Sequence, residues 1–104
     1  MTTNTKVSAG LAIPPGYYVA ELLDDLGMTQ VELARRMGRP KQAINEICRG
    51  KKEITAETAD QLDRALEGRI DAQMLMNLEG AYRLALARGK PHIDALDDME
   101  PADN

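Results

Sequence analysis

Apolar residues in this chain return every three or four positions, and turn-forming residues cut that recurrence into five segments. Over residues 17–26, Tyr18, Val19, Leu22, Leu23 and Leu26 fall on one side of a helix while Glu21, Asp24 and Asp25 fall on the other; Gly27 supplies the stop. Pro14-Pro15-Gly16 marks the entry, with Pro15 suited to a first helical position. Thr29, with Glu32 three residues on, has the form of a capping box, so a second helix starts there with Val31, Leu33, Ala34 and Met37 as its inner face. Gly38-Arg39-Pro40 interrupts for only about three residues. A third helix then carries Ala43, Ile44, Ile47 and Cys48 on its apolar side and ends at Gly50. A fourth begins at Thr55 or Ala56, aligns Ala59, Leu62, Ala65 and Leu66, and ends near Gly68. Asp71 opens a fifth that reaches about Arg88, with Met74, Leu75, Leu78, Tyr82, Ala85 and Leu86 on a broad apolar face, before Gly89 and Pro91 stop it. The pattern predicts an all-α protein.

The 104 residues suffice for one core. Residues 1–13 are small and polar and read as a flexible N-terminal arm, 14–90 as the folded domain, and 91–104 as an acidic tail. The apolar palette supports helices over sheets: three Tyr, neither Phe nor Trp, and six Met that serve as core filler. No apolar run approaches the ~18 residues of a membrane span, and residues 1–8 lack a secretory pattern, so a cytoplasmic location is expected. One cysteine, Cys48, and one histidine, His92, allow neither an internal disulfide nor a metal cluster, and no triad or phosphate loop is present. No cofactor, metal or catalysis is expected.

Charge sharpens the picture. The net charge of -4 argues against a polyanion partner when taken as an average. Yet residues 35–52 hold Arg35, Arg36, Arg39, Lys41, Arg49, Lys51 and Lys52 against Glu46 alone, a local balance of +6. The tail holds Asp94, Asp97, Asp98, Glu100 and Asp103 with no base among them. A basic block in an acidic chain can turn one face toward a polyanion while the rest repels it.

That block overlaps two short helices joined by a tight turn. Ala34 stands where the helices would cross and lets them approach; Leu33, Met37, Ile44 and Ile47 fill the wedge; Gly38 occupies a sharp turn suited to positive φ. Residues 29–38, Thr-Gln-Val-Glu-Leu-Ala-Arg-Arg-Met-Gly, resemble the opening of the phage-repressor-like helix-turn-helix family. Pro14-Pro15-Gly16, Gln42-Ala43-Ile44-Asn45-Glu46-Ile47, Gly50-Lys51-Lys52, Ile54-Thr55, Glu57-Thr58-Ala59 and Asn77-Leu78 with Tyr82 are similar to the HigA antitoxin branch. The chain departs from the family at Pro40, where Ser or Thr usually caps the recognition helix, at Arg39, usually aliphatic, and at Met74-Leu75, where the branch tends to carry Phe-Trp.

The resemblance implies a five-helix, lambda-repressor-like DNA-binding domain whose third helix enters the major groove. Its outward residues would be Lys41, Gln42, Asn45 and Glu46, whose donors and acceptors can match base edges. Thr29, Gln30, Arg35, Arg36, Arg39, Arg49, Lys51 and Lys52 are the phosphate candidates. A homodimer on a twofold operator, half-sites roughly 34 Å apart, is the expected mode. Met74, Leu75, Leu78, Tyr82 and Leu86 are the expected seam. The branch further implies an autoregulating antitoxin that binds a cognate RNase toxin; such toxins are basic, and Glu21, Asp24 and Asp25 or the tail offer complementary charge. A stand-alone phage or plasmid repressor, and a protein-binding adaptor that does not touch DNA, are the alternatives.

Overall fold

The computed structural model describes residues 12–91; the expectations for residues 1–11 and for residues 92–104, His92 and the acidic run included, lie outside the described residues. Among the described residues five α-helices make up the regular structure: α1 Gly16–Leu26, α2 Gln30–Met37, α3 Lys41–Cys48, α4 Ala56–Ala65 and α5 Ala72–Ala87. This is the all-α, five-helix architecture that the apolar spacing predicts.

Local chemistry sets the boundaries. Thr29, Thr55 and Asp71 each sit in extended backbone before their helix, and each side chain accepts a hydrogen bond from the N–H three residues on, at Glu32, Thr58 and Met74. The capping box at Thr29 is half made, because the Glu32 carboxylate turns to Arg35 and Arg36 rather than back to Thr29. Pro15 and Pro40 open α1 and α3 with no side-chain cap; their fixed φ of -62° and -65° is the contribution a proline can make there. Gly38 ends α2 at φ 68°, a conformation costly for a residue with a Cβ, and the N–H of Arg39 returns to the carbonyl of Ala34 at 3.0 Å. The α4 helix ends earlier than Gly68 suggests, with Glu67 (φ 56°) and Gly68 both left-handed in the turn that follows.

Burial follows the predicted faces with informative exceptions. Val19, Leu23, Leu33, Ala34, Ile44, Ile47, Cys48, Ile54, Ala59, Leu62, Leu66, Ile70 and Leu75 form one continuous core. Val31, expected inside, is 59% exposed: it lies about 200° around α2 from Leu33, and only one of the two can face inward. The α2 and α3 helices pack on each other, α1 backs α3, α4 backs α2, and α5 closes on α4. Asp63 of α4 accepts the N–H of Ala72 at 2.9 Å, which fixes where α5 starts. The N–H of Ala12 donates to the carbonyl of Pro91 at 2.8 Å, so the two ends of the described chain lie side by side. Among the described residues no helix is long and apolar enough to cross a membrane.

Candidate nucleic-acid interface

The α3 helix has two sides of opposite character. Ile44 is fully buried, Ile47 and Cys48 nearly so, and burial pushes the Cys48 thiol up to about 11, which makes it an inert core group. Lys41, Gln42 and Asn45 are exposed and Glu46 is half-buried. At ~100° per residue these four occupy a contiguous arc of about 140°. The helix is held from behind by α1 as well as by α2: a Cβ on Gly16 would stand 1.6 Å from the carbonyl oxygen of Ile47, so the backbones of α1 and α3 meet with no side chain between them.

Within the exposed arc, side chains are already paired. The Nδ2 of Asn45 donates to Oε1 of Gln30, the first residue of α2, at 3.3 Å. Gln42 Nε2 lies 3.5 Å from Glu46 Oε2, a long contact that leans the two over the same turn.

The basic candidates separate into different roles. Arg35 and Arg36 both bind Glu32, with Nε distances of 3.0 and 2.9 Å, and Arg36 Nη1 also donates to the Ala65 carbonyl at 3.1 Å. Arg36 thus ties α2 to the end of α4. The hydrogen bond from Arg35, then that from Arg36, hold the Glu32 carboxyl down at about 2. Arg39 is half-buried and its Nη2 donates to Oγ1 of Thr58 at 3.1 Å; Thr58, 3% exposed, also receives the Thr55 hydroxyl. The guanidinium of Arg39 therefore braces the turn before α3 against the start of α4. Thr29 is exposed, its oxygen used as the α2 cap, and Gln30 is half-buried beside Asn45. Arg49, Lys51 and Lys52 are exposed around the C-terminal end of α3, where the N–H of Lys51 bonds the Glu46 carbonyl at 2.8 Å.

The stripe expected as a seam on α5 divides. Leu75 is fully buried and Tyr82 is 5% exposed, both within the chain's own fold, which corrects the expectation that they form a surface for a second copy. Leu78 and Leu86 are half-buried, Met74 is 42% exposed, and Leu84, absent from the expected stripe, is 50% exposed. The α5 helix seats Leu75, Glu79 and Tyr82 inward, so the neighbouring arc is the one left outside. An open groove of about 230 Å³ runs along that arc between Tyr18 and Ile13 on one side and Leu78, Ala81 and Ala85 on the other. Sequence reasoning named Thr58 and Gly16 only as members of longer motifs, with no role of their own, and did not name Leu84. Only Gly16 carried a signal, as an invitation to close backbone approach at the end of Pro14-Pro15-Gly16.

Taken together, two short helices at a tight turn, the second one outward-facing and flanked by cations, define a helix-turn-helix protein. The chain belongs to the helix-turn-helix family, whose model matches residues 19–73. Virulence-associated protein I of Dichelobacter nodosus is 39% identical over 77 residues, 73% of this chain and 69% of that protein. The structure of Pseudomonas aeruginosa antitoxin HigA with the higBA promoter superposes with a TM-score of 0.68 at 28% identity, covering 88% of this chain and 96% of that one. A second Pseudomonas aeruginosa structure, a protein in complex with its 18-base-pair operator DNA, gives a TM-score of 0.64 at 29% identity, covering 85% of this chain and 94% of that one.

Proposed function

We propose that this chain is a sequence-specific DNA-binding repressor that inserts α3 into the major groove of its operator. The observation that carries the reading is the division of α3: Ile44, Ile47 and Cys48 lock it into the core, while Lys41, Gln42 and Asn45 stand outside, where they can meet base edges. Arg49, Lys51 and Lys52, exposed around the C-terminal end of α3, would contact the duplex backbone, with Thr29, Gln30 and Arg35 as contacts from the other helix of the pair. Arg39 is tied to Thr58 through one nitrogen, Nη2, and its remaining N–H groups are the ones that would meet a phosphate. The structural relatives solved with promoter and operator DNA support this reading.

The repressor acts as a homodimer through the exposed flank of α5, with Met74, Leu78 and Leu84 at the contact, since Met74 and Leu84 are exposed there and Leu78 is half-buried between that flank and the core; Leu86 lies on the opposite, inward side of the helix. It also serves as the antitoxin of a HigBA-like module and binds a basic RNase toxin. The antitoxin HigA relative supports this, and the exposed Glu21, Asp24 and Asp25 on α1 give the acidic surface such a partner needs.

The test is duplex selection from a random pool followed by titration across salt. A shared motif with affinity falling steeply as salt rises is the expected result. Absence of duplex binding at low salt overturns it in favour of an adaptor, and DNA binding without a co-purifying toxin leaves the stand-alone repressor.

A further inference from the structure

Arg39 is held differently from the two arginines that precede it in the basic block. Arg35 and Arg36 are held by the Glu32 carboxylate, which offsets their charge. Arg39 is held by a neutral hydroxyl: its Nη2 donates to Oγ1 of Thr58, in the first turn of α4, at 3.1 Å. Its backbone is fixed as well, by the bond from its N–H to the Ala34 carbonyl at 3.0 Å and by Pro40, the residue that opens α3. A guanidinium is a planar, rigid fork, so fixing one nitrogen sets the direction of the other N–H groups and leaves the whole charge in place.

Thr58 has the surroundings of an anchor. It is 3% exposed, and its oxygen accepts both the Arg39 N–H and the Thr55 hydroxyl proton, each at 3.1 Å, which fills its two lone pairs. Thr55 is fixed in turn by accepting the Thr58 N–H at 3.2 Å. We infer that Thr58 is a positioning residue for DNA binding, whose buried hydroxyl holds the Arg39 guanidinium ready for a backbone phosphate without offsetting its charge. The inference rests on the reading that α3 enters the major groove, and its ligand is the phosphodiester rather than a base. An arginine free in solvent gives up its rotamer freedom on binding, whereas this one has given up part of it before DNA arrives.

The experiment uses the full chain, the duplex it selects from a random pool and an unrelated duplex of equal length, each titrated across salt. Wild type is compared with Thr58→Val, Thr58→Ser, Arg39→Ala, Arg39→Lys and the double variant Arg39→Ala/Thr58→Val, with circular dichroism and urea denaturation as controls of folding. Thr58→Val removes the acceptor at nearly constant shape, so it should weaken both duplexes by roughly tenfold and lower the salt slope by up to about one ion, as Arg39→Ala does. Thr58→Ser keeps the hydroxyl and should stay near wild type. On the Arg39→Ala background, Thr58→Val should cost no more than about twofold further. Arg39→Lys keeps the charge without the fork, so it should lose nearly as much as Arg39→Ala, a result that does not require the valine variant to fold.

A Thr58→Val variant that loses affinity with an unchanged salt slope, or loses as much again once Arg39 is gone, acts through the stability of α4 and overturns the positioning role. Wild-type affinity in Arg39→Lys or in Arg39→Ala overturns it too, while leaving DNA binding intact. A wild-type chain that binds neither duplex overturns the DNA-binding reading itself, and the role of Thr58 with it.

Discussion

Gly16 rests so closely on Ile47 that a methyl group in its place would fall 1.6 Å from the Ile47 carbonyl oxygen and 2.7 Å from its carbonyl carbon. The neighbour is backbone, near the end of the helix proposed to meet DNA, and it cannot swing aside as a side-chain tip would. Gly16→Ala should therefore push α1 and α3 apart and destabilise the protein by roughly 1–3 kcal/mol or more, in the range of overpacked cores. Urea denaturation checks this, and an unchanged midpoint would show that the two backbones have room to move. DNA affinity should fall further than stability alone explains, because α3 is displaced as a whole.

Exposed residues of α3 and the cations after it should fail in different ways. Gln42→Ala is expected to cost about 1–3 kcal/mol on the selected operator and to relax preference at one base step. Lys51→Ala should weaken all duplexes alike and flatten the salt dependence by about one ion. Competition titrations with mutated operators separate the two, and indiscriminate weakening by Gln42→Ala would remove it from the reading face.

Acid should act on Glu32 in a narrow window. Its carboxyl is drawn from an ordinary 4.5 to about 2 by the hydrogen bonds of Arg35 and Arg36. A carboxylate with a lowered value in the fold binds fewer protons than in the unfolded chain, so its stabilising contribution is complete above about 4.5 and is lost as pH falls from there toward 2. Glu32→Gln should abolish that part of the acid response and leave the neutral range with little pH dependence of its own. Thermal melts of both proteins between pH 6 and 2 test it: a gap between them that stays constant across the window counts against the Arg35–Glu32–Arg36 cluster.

The α5 flank predicts an oligomer that one exposed residue can disrupt. Leu84 is 50% exposed in the single chain, so Leu84→Asp should leave the monomer folded while lowering dimer affinity by roughly tenfold or more. Sedimentation velocity across concentration, with helicity as the control, decides it. A wild-type chain that stays monomeric at high concentration, or a variant that dimerises as well as wild type, rules this flank out.

How much of this was legible beforehand differs from residue to residue. Thr29, Thr55 and Asp71 were readable as helix starts because capping is a contact between neighbours three positions apart, and the observed caps match those residues. The outward face of α3 was readable because helical geometry alone puts Lys41, Gln42 and Asn45 opposite Ile44 and Ile47. The tie from Arg39 to Thr58 was not readable for the opposite reason: the two are nineteen residues apart, and charge by itself does not show a partner so distant in the chain.

Periodicity, caps and charge segregation, all short-range properties of the chain, determined that it forms five helices with a cationic segment around the third. Only the packed structure decided which of several apolar residues on one helix is spent internally, so that Leu75 and Tyr82 are covered while Leu84 and Val31 are not. Only it brought Gln30 beside Asn45 and Gly16 onto Ile47. A helix repeats about every 3.6 residues and offers a wide arc of near-equivalent positions, and which part of that arc meets another helix depends on distances between segments far apart in the chain.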